Sequence, residues 1–312
     1  MLLSVLIPSY NSELFIEQAI NSVINQKFQD FEIICCDNCS EDSTFDILQE
    51  YQRKDSRIKV YRNEKNLGPV LNWKNCLDRA SGEYIHWLWS DDWIEENFYI
   101  DALDLMLKDG TNCVSAWNYR RDGSKKKYIS WQFSFSLISG AIAARKILLS
   151  SRELPLSPAA YILPADLVRK HFYTNIPRIN ETLDPVKKGV GVDSLMIVGC
   201  CVQSKNISIL QKPSVNFRQH ENLSVQLNKE GTLSKMYVIS HIWFLKTNEL
   251  KLNAIELFKL SYSFLRAFKT DSFKIWNRVN ILTLLFDLGK ILALKEFFVM
   301  RKTYKSKKAV FK

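Results

Sequence analysis

Short apolar runs alternate with amphipathic segments along the first hundred residues. Between the runs, apolar positions recur at helical spacing in segments that begin near Ser12, near Asp42 or Ser43, and after Gly68. Strands and helices that alternate in this way predict β-α units and a largely parallel sheet, which is an α/β fold. The apolar runs that predict the strands are residues 2–7, 31–36, 58–61 and 84–89.

The rest of the chain is less regular, and its pattern changes again near residue 228. From Lys229 onward nearly every segment has the apolar spacing of a helix. We therefore predict an α/β unit over residues 1–228, whose halves meet near residue 110, and a helical C-terminal region over residues 229–312. In between, strand-like runs occur at 111–117, 127–133, 136–142, 207–210 and 215–218, and helical patterns at 164–171 and 193–202.

Charge is distributed unevenly along the chain. The 312 residues are 46% hydrophobic and 24% charged, as in an ordinary folded protein, and their formal net charge is +10. The surplus lies from Lys229 onward, where 17 Lys and Arg face 6 Asp and Glu. Such a local surplus predicts a local acidic partner rather than a general affinity for anions.

The seven cysteines, an odd number, favour a reducing compartment in which they serve as small buried side chains. Cys36 and Cys39 have C-x-x-C spacing, but no second pair follows to complete a zinc site, and a redox role is the weaker alternative. The first residues do not resemble a signal peptide. The longest apolar segment, 281–294, is interrupted by Asp287 and Lys290, so we expect a cytoplasmic protein without a membrane-spanning helix.

Polar residues follow three of the predicted strands at the point where each strand ends. In a parallel α/β sheet the ligand binds outside the carboxyl ends of the strands. We therefore expect one edge of the sheet to gather these side chains into a binding site. The three groups are Pro8-Ser9-Tyr10-Asn11, Asp37-Asn38 and Ser90-Asp91-Asp92.

Several motifs, in order and at sensible spacing, resemble those of the family 2 glycosyltransferases, which have the GT-A fold. The resemblance is good over about the first hundred residues and returns at Asp193 and at Arg218-Gln219-His220. It departs from the family pattern at Trp89, which replaces the first aspartate of Asp-x-Asp-Asp, and at Gly191-Val192-Asp193, which offers one carboxylate where many members have an acidic pair. The motifs are residues 5–11, 20–26, 31–44, 66–68, 80–85 and 90–92.

The resemblance implies a GT-A (Rossmann-like) sheet flanked by helices and a sugar transfer that inverts the anomeric centre. The donor would be a nucleotide-sugar, in the first place a UDP-sugar, and the acceptor a glycan or lipid-linked glycan in the synthesis of cell-surface polysaccharide or lipopolysaccharide. A departing diphosphate needs a cation, and Mn²⁺ or Mg²⁺ suits carboxylate and phosphate oxygens.

The same resemblance assigns roles to individual residues. Asp92 and His220 are predicted metal ligands, and Asp193 is the predicted general base that deprotonates the acceptor hydroxyl. Tyr10 would stack on the nucleotide base and Arg218 would hold the diphosphate. The full set of predicted nucleotide-sugar-binding residues is Pro8, Tyr10, Glu13, Asp37, Asp91 and Arg218.

The predicted acidic site residues and His220 also have structural interpretations that the sequence leaves open, because Asp and Glu are common at helix starts and turns. The alternatives are a helix cap for Asp91, Asp92 and Asp193, a turn for Asp37, a first-turn glutamate for Glu13, and an ordinary surface or core histidine for His220.

Three other classes of protein compete with a glycosyltransferase. A glycosyltransferase-like scaffold that binds nucleotide without transfer is supported by Trp89. A nucleic-acid-binding protein would use the basic tail, but it leaves the strand-end carboxylates unexplained, so we expect no nucleic acid partner. A nicotinamide dehydrogenase is disfavoured because no G-x-G-x-x-G follows the first strand.

The C-terminal region interleaves aromatic and aliphatic residues with cations and contains a polybasic stretch at 301–308. Helices of this kind bind the plane of an anionic membrane, which predicts peripheral attachment to the cytoplasmic face of the inner membrane. A helical bundle with a solvated basic face is the alternative.

Overall fold

The computed structural model describes residues 3–121, 127–129, 135–149, 153–218, 220 and 223–248, together with positions 252, 253, 256, 259, 260, 263 and 267. The apolar segment at 281–294 and the polybasic stretch at 301–308 lie outside these residues, so their predicted roles stay predictions. None of the helices in the described part of the chain has the length and apolar content needed to cross a bilayer.

Strands and helices alternate through the N-terminal half, as the sequence predicts. The strands are β1 (Leu3–Ser9), β2 (Phe31–Asp37), β3 (Ile58–Arg62), β4 (Tyr84–Trp87), β5 (Trp93–Ile94), β6 (Val114–Arg121), β7 (Lys127–Ile129), β8 (Leu137–Ser139), β9 (Tyr161–Pro164) and β10 (Asn206–Arg218). The helices are α1 (Ile16–Ile24), α2 (Thr44–Lys54), α3 (Pro69–Leu77), α4 (Phe98–Asp109), α5 (Gly140–Leu148), α6 (Ala165–Lys170), α7 (Pro185–Lys188), α8 (Val192–Gln203), α9 (Leu223–Lys229) and α10 (Leu233–Thr247).

One mixed sheet runs through the described residues in the order β3-β2-β1-β4-β9-β6-β10-β5, with β7 paired to β6 and β8 to β10. The strands β3, β2, β1 and β4 pair in parallel, and so do β6 and β10. The strands β9, β5, β7 and β8 are antiparallel to their neighbours. The α/β class is confirmed, and parallel pairing is concentrated where single helices connect successive strands.

The apolar runs become central strands because both faces of the sheet are covered. Every residue of β1 and β2 is buried. The one carboxylate among them that lies mid-strand, Glu32, receives a hydrogen bond from Ser4 Oγ at 2.7 Å and an ion pair from Lys59 at 2.8 Å. Burial alone would raise the pKa of Glu32, but these contacts and those from Ser81 hold it at about 2.

Two predicted elements differ from the structure. The separate strands predicted at 207–210 and 215–218 are one strand, β10, because register shifts on either side of Pro213 let the pairing with β6 continue past a residue that has no N–H. The strand predicted at 136–142 ends at Ser139, and the chain continues as α5.

Two apolar clusters, one on each side of the sheet, form the core. The helix α10 contributes to one of them, since its residues Met236, Ile239 and Phe244 are all buried. This helix therefore packs on the α/β unit, although the predicted boundary at residue 228 stays a prediction. The cysteines are free thiols, and all but the partly exposed Cys39 are buried, as expected of small core residues.

Candidate active site

The predicted strand ends meet at the carboxyl edge of the sheet. The N–H of Asn38 donates to Ser9 O at 2.9 Å, which ties the end of β2 to the end of β1. The hydroxyls of Ser12 and Ser90 lie 2.7 Å apart, which brings the loop after β1 to the loop after β4. The expected gathering of polar residues at one edge is thus present in the structure.

Pro8 and Tyr10 sit at the end of β1 in different surroundings. Pro8 is buried inside the sheet, in register with Cys36 of β2. Tyr10 follows the strand and is 43% exposed. Tyr10 is accordingly available to a ligand at this edge, whereas Pro8 shapes the edge from beneath; the contact of either residue with a nucleotide stays a prediction.

Asp37, the last residue of β2, is fully buried. Its carboxylate accepts hydrogen bonds from the N–H of Ser40 at 3.1 Å and from the Ser40 hydroxyl, and Arg62 Nε lies 3.3 Å away. These are the contacts of a turn aspartate, which the sequence left open as the alternative. Asp37 fixes the shape of the loop after β2, and its contact with a nucleotide stays a prediction.

Glu13 is exposed and lies before α1 rather than in its first turn. Its carboxylate accepts a hydrogen bond from the N–H of Ser43 at 3.0 Å, and its own N–H donates to Asp42 at 3.1 Å. Glu13 therefore satisfies a backbone donor at the start of α2 and joins the loop after β1 to the loop after β2. Its predicted contact with the nucleotide is untested.

The pair Asp91-Asp92 lies in a short turn between β4 and β5. The strand β5 follows directly, and α4 begins only at Phe98 with Asn97 at its cap position. The alternative that these aspartates cap a helix is therefore wrong. Asp92 is 6% exposed, so a carboxylate has been placed almost fully inside the protein at a ligand-binding edge.

Arg218, the last residue of β10, closes over this turn. Its backbone N–H donates to Asp92 Oδ1 at 3.0 Å and its Nε donates to Asp91 O at 3.0 Å. The guanidinium carbon lies 4.8 Å from the centroid of the Phe15 ring and 4.7 Å from that of Trp93, and Nη2 donates to the side chain of Gln18. Arg218 thus holds the aspartate turn in place, and its predicted hold on a diphosphate stays a prediction.

His220 lies beside the same turn. Its Nε2 is 2.8 Å from Asp91 Oδ2, and its ring packs 4.7 Å from that of Phe15. The structure therefore brings together four predicted site residues from two distant parts of the chain, Asp91, Asp92, Arg218 and His220. This contact fits both a metal ligand and an ordinary surface histidine that pairs with an aspartate, so the metal role of His220 stays a prediction.

The charge of Asp92 is poorly compensated. Burial and then the neighbouring charge of Asp91 raise the pKa of Asp92 well above its usual range, against the opposing effect of the Arg218 N–H and guanidinium. A buried carboxylate next to a second one is an arrangement that a cation relieves.

These side chains fit a hard divalent cation whose remaining ligands come from a bound substrate. Asp92 and His220, with Asp91 beside them, offer oxygen and imidazole ligands, which Mn²⁺ accepts and which also suit Mg²⁺ where oxygens predominate. Within the described residues, no group of three or more His, Cys, Asp or Glu side chains is arranged to hold a metal by itself. The fit is therefore to a cation completed by phosphate oxygens and water, as is common for Mg²⁺.

Trp89, which replaces an aspartate of the family pattern, belongs to an aromatic stack. Its ring centroid lies 4.9 Å from that of Trp73 and 6.1 Å from that of Trp87, and its Nε1 donates to Ser157 Oγ at 2.9 Å. At the position where the family pattern has a charged aspartate, the chain is thus held by the aromatic packing of Trp89.

Asp193, the predicted base, is the second residue of α8 and is partly exposed. Gly191, not Asp193, occupies the cap position of the helix, so the capping alternative is wrong. Asp193 Oδ1 accepts hydrogen bonds from the N–H groups of Gly191 at 3.0 Å and Ser194 at 2.8 Å, and Oδ2 accepts from the Tyr237 hydroxyl at 3.1 Å. Burial raises the pKa of Asp193 to about 6, even though these hydrogen bonds oppose the shift.

A chain of contacts connects Asp193 to the aspartate turn. The segment that leads into α8 passes so close to α3 that a Cβ on Gly189 would lie 2.9 Å from the Trp73 ring. Trp73 in turn packs on Trp89, at the start of the aspartate turn. Trp73 therefore contacts both a residue four positions before Asp193 and a residue two positions before Asp91.

Several residues that shape the site were not predicted from the sequence. The rings of Phe15 and Trp93 enclose Arg218, and the Tyr237 hydroxyl binds the candidate base. A signal for Tyr237 does exist in the sequence: Tyr237 and His241, one helical turn apart, are polar groups on the same side of α10. That Asp193 is the partner of Tyr237 could not be predicted without the fold, because the two residues lie on different helices.

A solved structure has the same fold. Staphylococcus aureus TarS, residues 1–349 in complex with UDP, superposes with a TM-score of 0.62 over 87% of this chain and 73% of that one, at 22% identity. The likeness confirms the predicted GT-A fold, and at this identity it shows the fold alone.

The family model of glycosyl transferase family 2 matches residues 4–153, the region that contains β1 to β4 and the aspartate turn. The match confirms, over this region, the resemblance to the family 2 glycosyltransferases that the motifs predict.

Curated relatives match about a third of this chain. The GalNAc(5)-diNAcBac-PP-undecaprenol beta-1,3-glucosyltransferase of Campylobacter jejuni is 44% identical over 91 residues, which is 29% of this chain and 29% of that protein. The poly(ribitol-phosphate) beta-N-acetylglucosaminyltransferase TarS of Staphylococcus aureus is 37% identical over 105 residues, 33% of this chain and 18% of that protein. The chain thus spans less than half the length of the curated relatives it matches.

Proposed function

We propose that this protein transfers a sugar from a nucleotide-sugar, in the first place a UDP-sugar, to a glycan or lipid-linked glycan, with inversion at the anomeric carbon. The observation that carries the proposal is the aspartate turn: a buried carboxylate, Asp92, lies beside Asp91 and under Arg218 at the carboxyl edge of the sheet. A diphosphate with its cation would neutralise both aspartates.

The residues of the carboxyl edge divide the work of binding the donor. Asp92, with His220 and Asp91, would hold a divalent cation, which when bound supplies Lewis-acid stabilisation of the departing diphosphate. Tyr10 would stack on the nucleotide base at the same edge. Arg218 keeps the aspartate turn in the geometry that the diphosphate meets, by the hydrogen bonds described above.

Asp193 would act as the general base of the transfer. Its carboxylate takes the proton of the acceptor hydroxyl while that oxygen forms a bond to the anomeric carbon and the bond to the diphosphate breaks. A carboxylate whose pKa is raised by burial is a stronger base than an exposed one and remains ionised near neutral pH. The products are the glycosylated acceptor and the free nucleoside diphosphate.

The acceptor proposal draws on the relatives as well as on charge. The Campylobacter relative is named for an undecaprenol-linked substrate and TarS for poly(ribitol phosphate), which supports a lipid-linked or polymeric acceptor for this chain. The basic surplus after Lys229 supports contact with an anionic membrane surface. Co-sedimentation of the full chain with anionic and neutral vesicles tests this contact; binding only to anionic vesicles that is lost at high salt supports it, and no binding opposes it.

Nucleotide affinity tests the donor proposal. We expect UDP to bind in the presence of Mn²⁺, and expect Asp92→Asn or removal of Mn²⁺ with EDTA to weaken binding at least about tenfold, as loss of a metal ligand does. Asp78→Asn is the matched control, because Asp78 is an exposed aspartate paired only with Lys74 in the described structure. UDP affinity is measured by calorimetry. Equal affinity in all variants would contradict the proposal that the aspartate turn binds the cation and the nucleotide.

A further inference from the structure

The helix α10 contacts the candidate base, and both lie beyond the region that the family model matches. That model ends at residue 153, whereas α10 begins at Leu233. The Tyr237 hydroxyl of α10 donates to Asp193 Oδ2 at 3.1 Å. Because Oδ1 already accepts two backbone N–H groups, the two oxygens of the carboxylate have different tasks: Oδ1 anchors the start of α8, and Oδ2 faces Tyr237.

We propose that Tyr237 is a positioning residue for the general base: its hydroxyl fixes the Asp193 carboxylate so that the second lone pair of Oδ2 is presented to the acceptor hydroxyl. A carboxylate oxygen accepts two hydrogen bonds, so one remains available beside Tyr237. The inference rests on the proposed function, since it requires Asp193 to act as the base. It also makes α10 a part of the active site.

The contact is built into the packing of α10 rather than made by one side chain. Ser240 seats against the chain before Asp193, because a Cβ on Gly191 would lie 2.2 Å from Ser240 Oγ. His241 Nε2 lies 3.2 Å from the hydroxyl of Ser194, the residue after Asp193. The helix therefore contacts the chain on both sides of Asp193, and its Tyr237 contacts Asp193 itself.

The groups around Asp193 leave Tyr237 as its hydrogen-bonding side-chain partner. Burial, with the charge of Asp193, raises the pKa of Tyr237 well above its usual range, so its hydroxyl stays protonated and can donate. Burial lowers the pKa of His241 to about 4, so it is neutral near pH 7 and binds Ser194. Lys187 and Lys188 are the cations of α7, which precedes this segment.

Of the other helices packed on α8, α6 presents Asp166, Arg169 and Lys170, and α5 presents Arg145 and Lys146. Lys170 contacts Gln203 at the far end of α8, and Arg169 binds Ala80 O. None of these groups has a hydrogen bond to Asp193 in the described structure, so the hydroxyl of Tyr237 is the contact to remove.

The test is the pH dependence of nucleotide release by Tyr237→Phe. The UDP-sugar that supports release in the wild-type protein is the probe, and UDP affinity is measured in parallel. A hydroxyl that donates to a carboxylate stabilises its charged form, so its loss raises the pKa of Asp193. We expect the acid limb of kcat/KM to move up by roughly one pH unit, with UDP affinity unchanged.

Tyr173→Phe is the matched control, because Tyr173 packs on Trp243 of the same helix at 5.2 Å while its hydroxyl binds His171 at 2.7 Å. Its pH profile should coincide with that of the wild type. Tyr237→Met, a second variant without the hydroxyl, guards against poor folding of one substitution.

An acid limb in Tyr237→Phe and Tyr237→Met that coincides with the wild-type limb would overturn the positioning role. Retention of the wild-type rate by Asp193→Asn would instead overturn the base assignment, and the positioning role with it. The two failures are therefore distinguishable in one set of proteins.

Discussion

At the scale of single residues, the aspartate turn carries a conflict between stability and function. Asp92 is buried beside the partly exposed Asp91, the two carboxylates repel each other, and Arg218 compensates the charge of Asp92 only in part. Active sites often hold such unfavourable charges because a ligand or cation completes them.

The conflict predicts that Asp92→Asn stabilises the metal-free protein. An asparagine keeps an oxygen for the Arg218 N–H and removes one of the two charges, so we expect the free energy of unfolding to rise by roughly 1 kcal/mol. Urea unfolding in EDTA measures it, with Asp78→Asn as the surface control. A less stable Asp92→Asn would mean that the carboxylate serves the fold.

Asp193 predicts the pH dependence of the reaction. The base must be ionised, and its pKa lies at about 6, so kcat/KM should fall as the pH drops below about 6 and approach a tenfold loss per unit. Asp193→Asn should lose activity at all pH values, by about 100-fold or more. Asp184→Asn is the control, because Asp184 caps α7 and an asparagine caps equally well. A pH-independent rate between pH 5 and 8 would contradict the assignment.

The sequence predicted more of the site's residues than of their contacts. Strand-end position is a local property, so Asp37, Asp91 and Asp92 could be placed at the edge from the pattern alone. Whether Asp91 and Asp92 cap a helix depends on the next element of the chain, and that element, the short strand β5, exists only because β10 pairs with it. That pairing joins residues more than a hundred positions apart, which a local pattern does not report.

At the scale of elements, the junction between α8 and α10 depends on one glycine. Gly191 has a φ of +91°, and a Cβ there would lie 2.2 Å from Ser240 Oγ and 2.5 Å from Ser240 Cβ. Both the left-handed backbone and the close approach require glycine. Asp193 lies at this junction, two residues after Gly191. The glycine therefore helps to set the position of the candidate base.

Gly191→Ala should therefore destabilise the fold by about 2–4 kcal/mol, since it adds a steric clash to backbone strain. Gly110→Ala is the matched control: Gly110 also has a positive φ, +62°, but a Cβ there has open space around it. We expect the control to cost about 1 kcal/mol, the strain alone. Equal losses in chemical denaturation would show that α10 does not press on Gly191.

The elements of the N-terminal half were predictable because each buried strand is a continuous apolar run and each helix is amphipathic. The later elements were harder. β10 passes through Pro213 by register shifts, and α5 starts inside an apolar stretch that resembles a strand. In both cases tertiary packing, rather than local periodicity, decides the structure.

At the scale of the whole molecule, α10 shares the core of the α/β unit. Phe244 is 1% exposed and its ring lies 5.9 Å from that of Tyr173. We expect Phe244→Ala to lower the free energy of unfolding of the whole chain by about 3–5 kcal/mol in a single transition. Leu107→Ala, at a side chain that is 81% exposed, should change it by less than about 0.5 kcal/mol. An unchanged main transition in Phe244→Ala would make α10 a separate unit.

The central claim is that the carboxyl edge of the sheet transfers sugar from a nucleotide. The measurement is nucleotide release from a panel of UDP-, GDP- and dTDP-sugars by the full chain, with and without Mn²⁺, beside Asp92→Asn and Asp78→Asn. We predict Mn²⁺-dependent release of UDP that Asp92→Asn abolishes and Asp78→Asn retains. Release that is indifferent to Asp92, or no release and no binding of any nucleotide, would contradict the account.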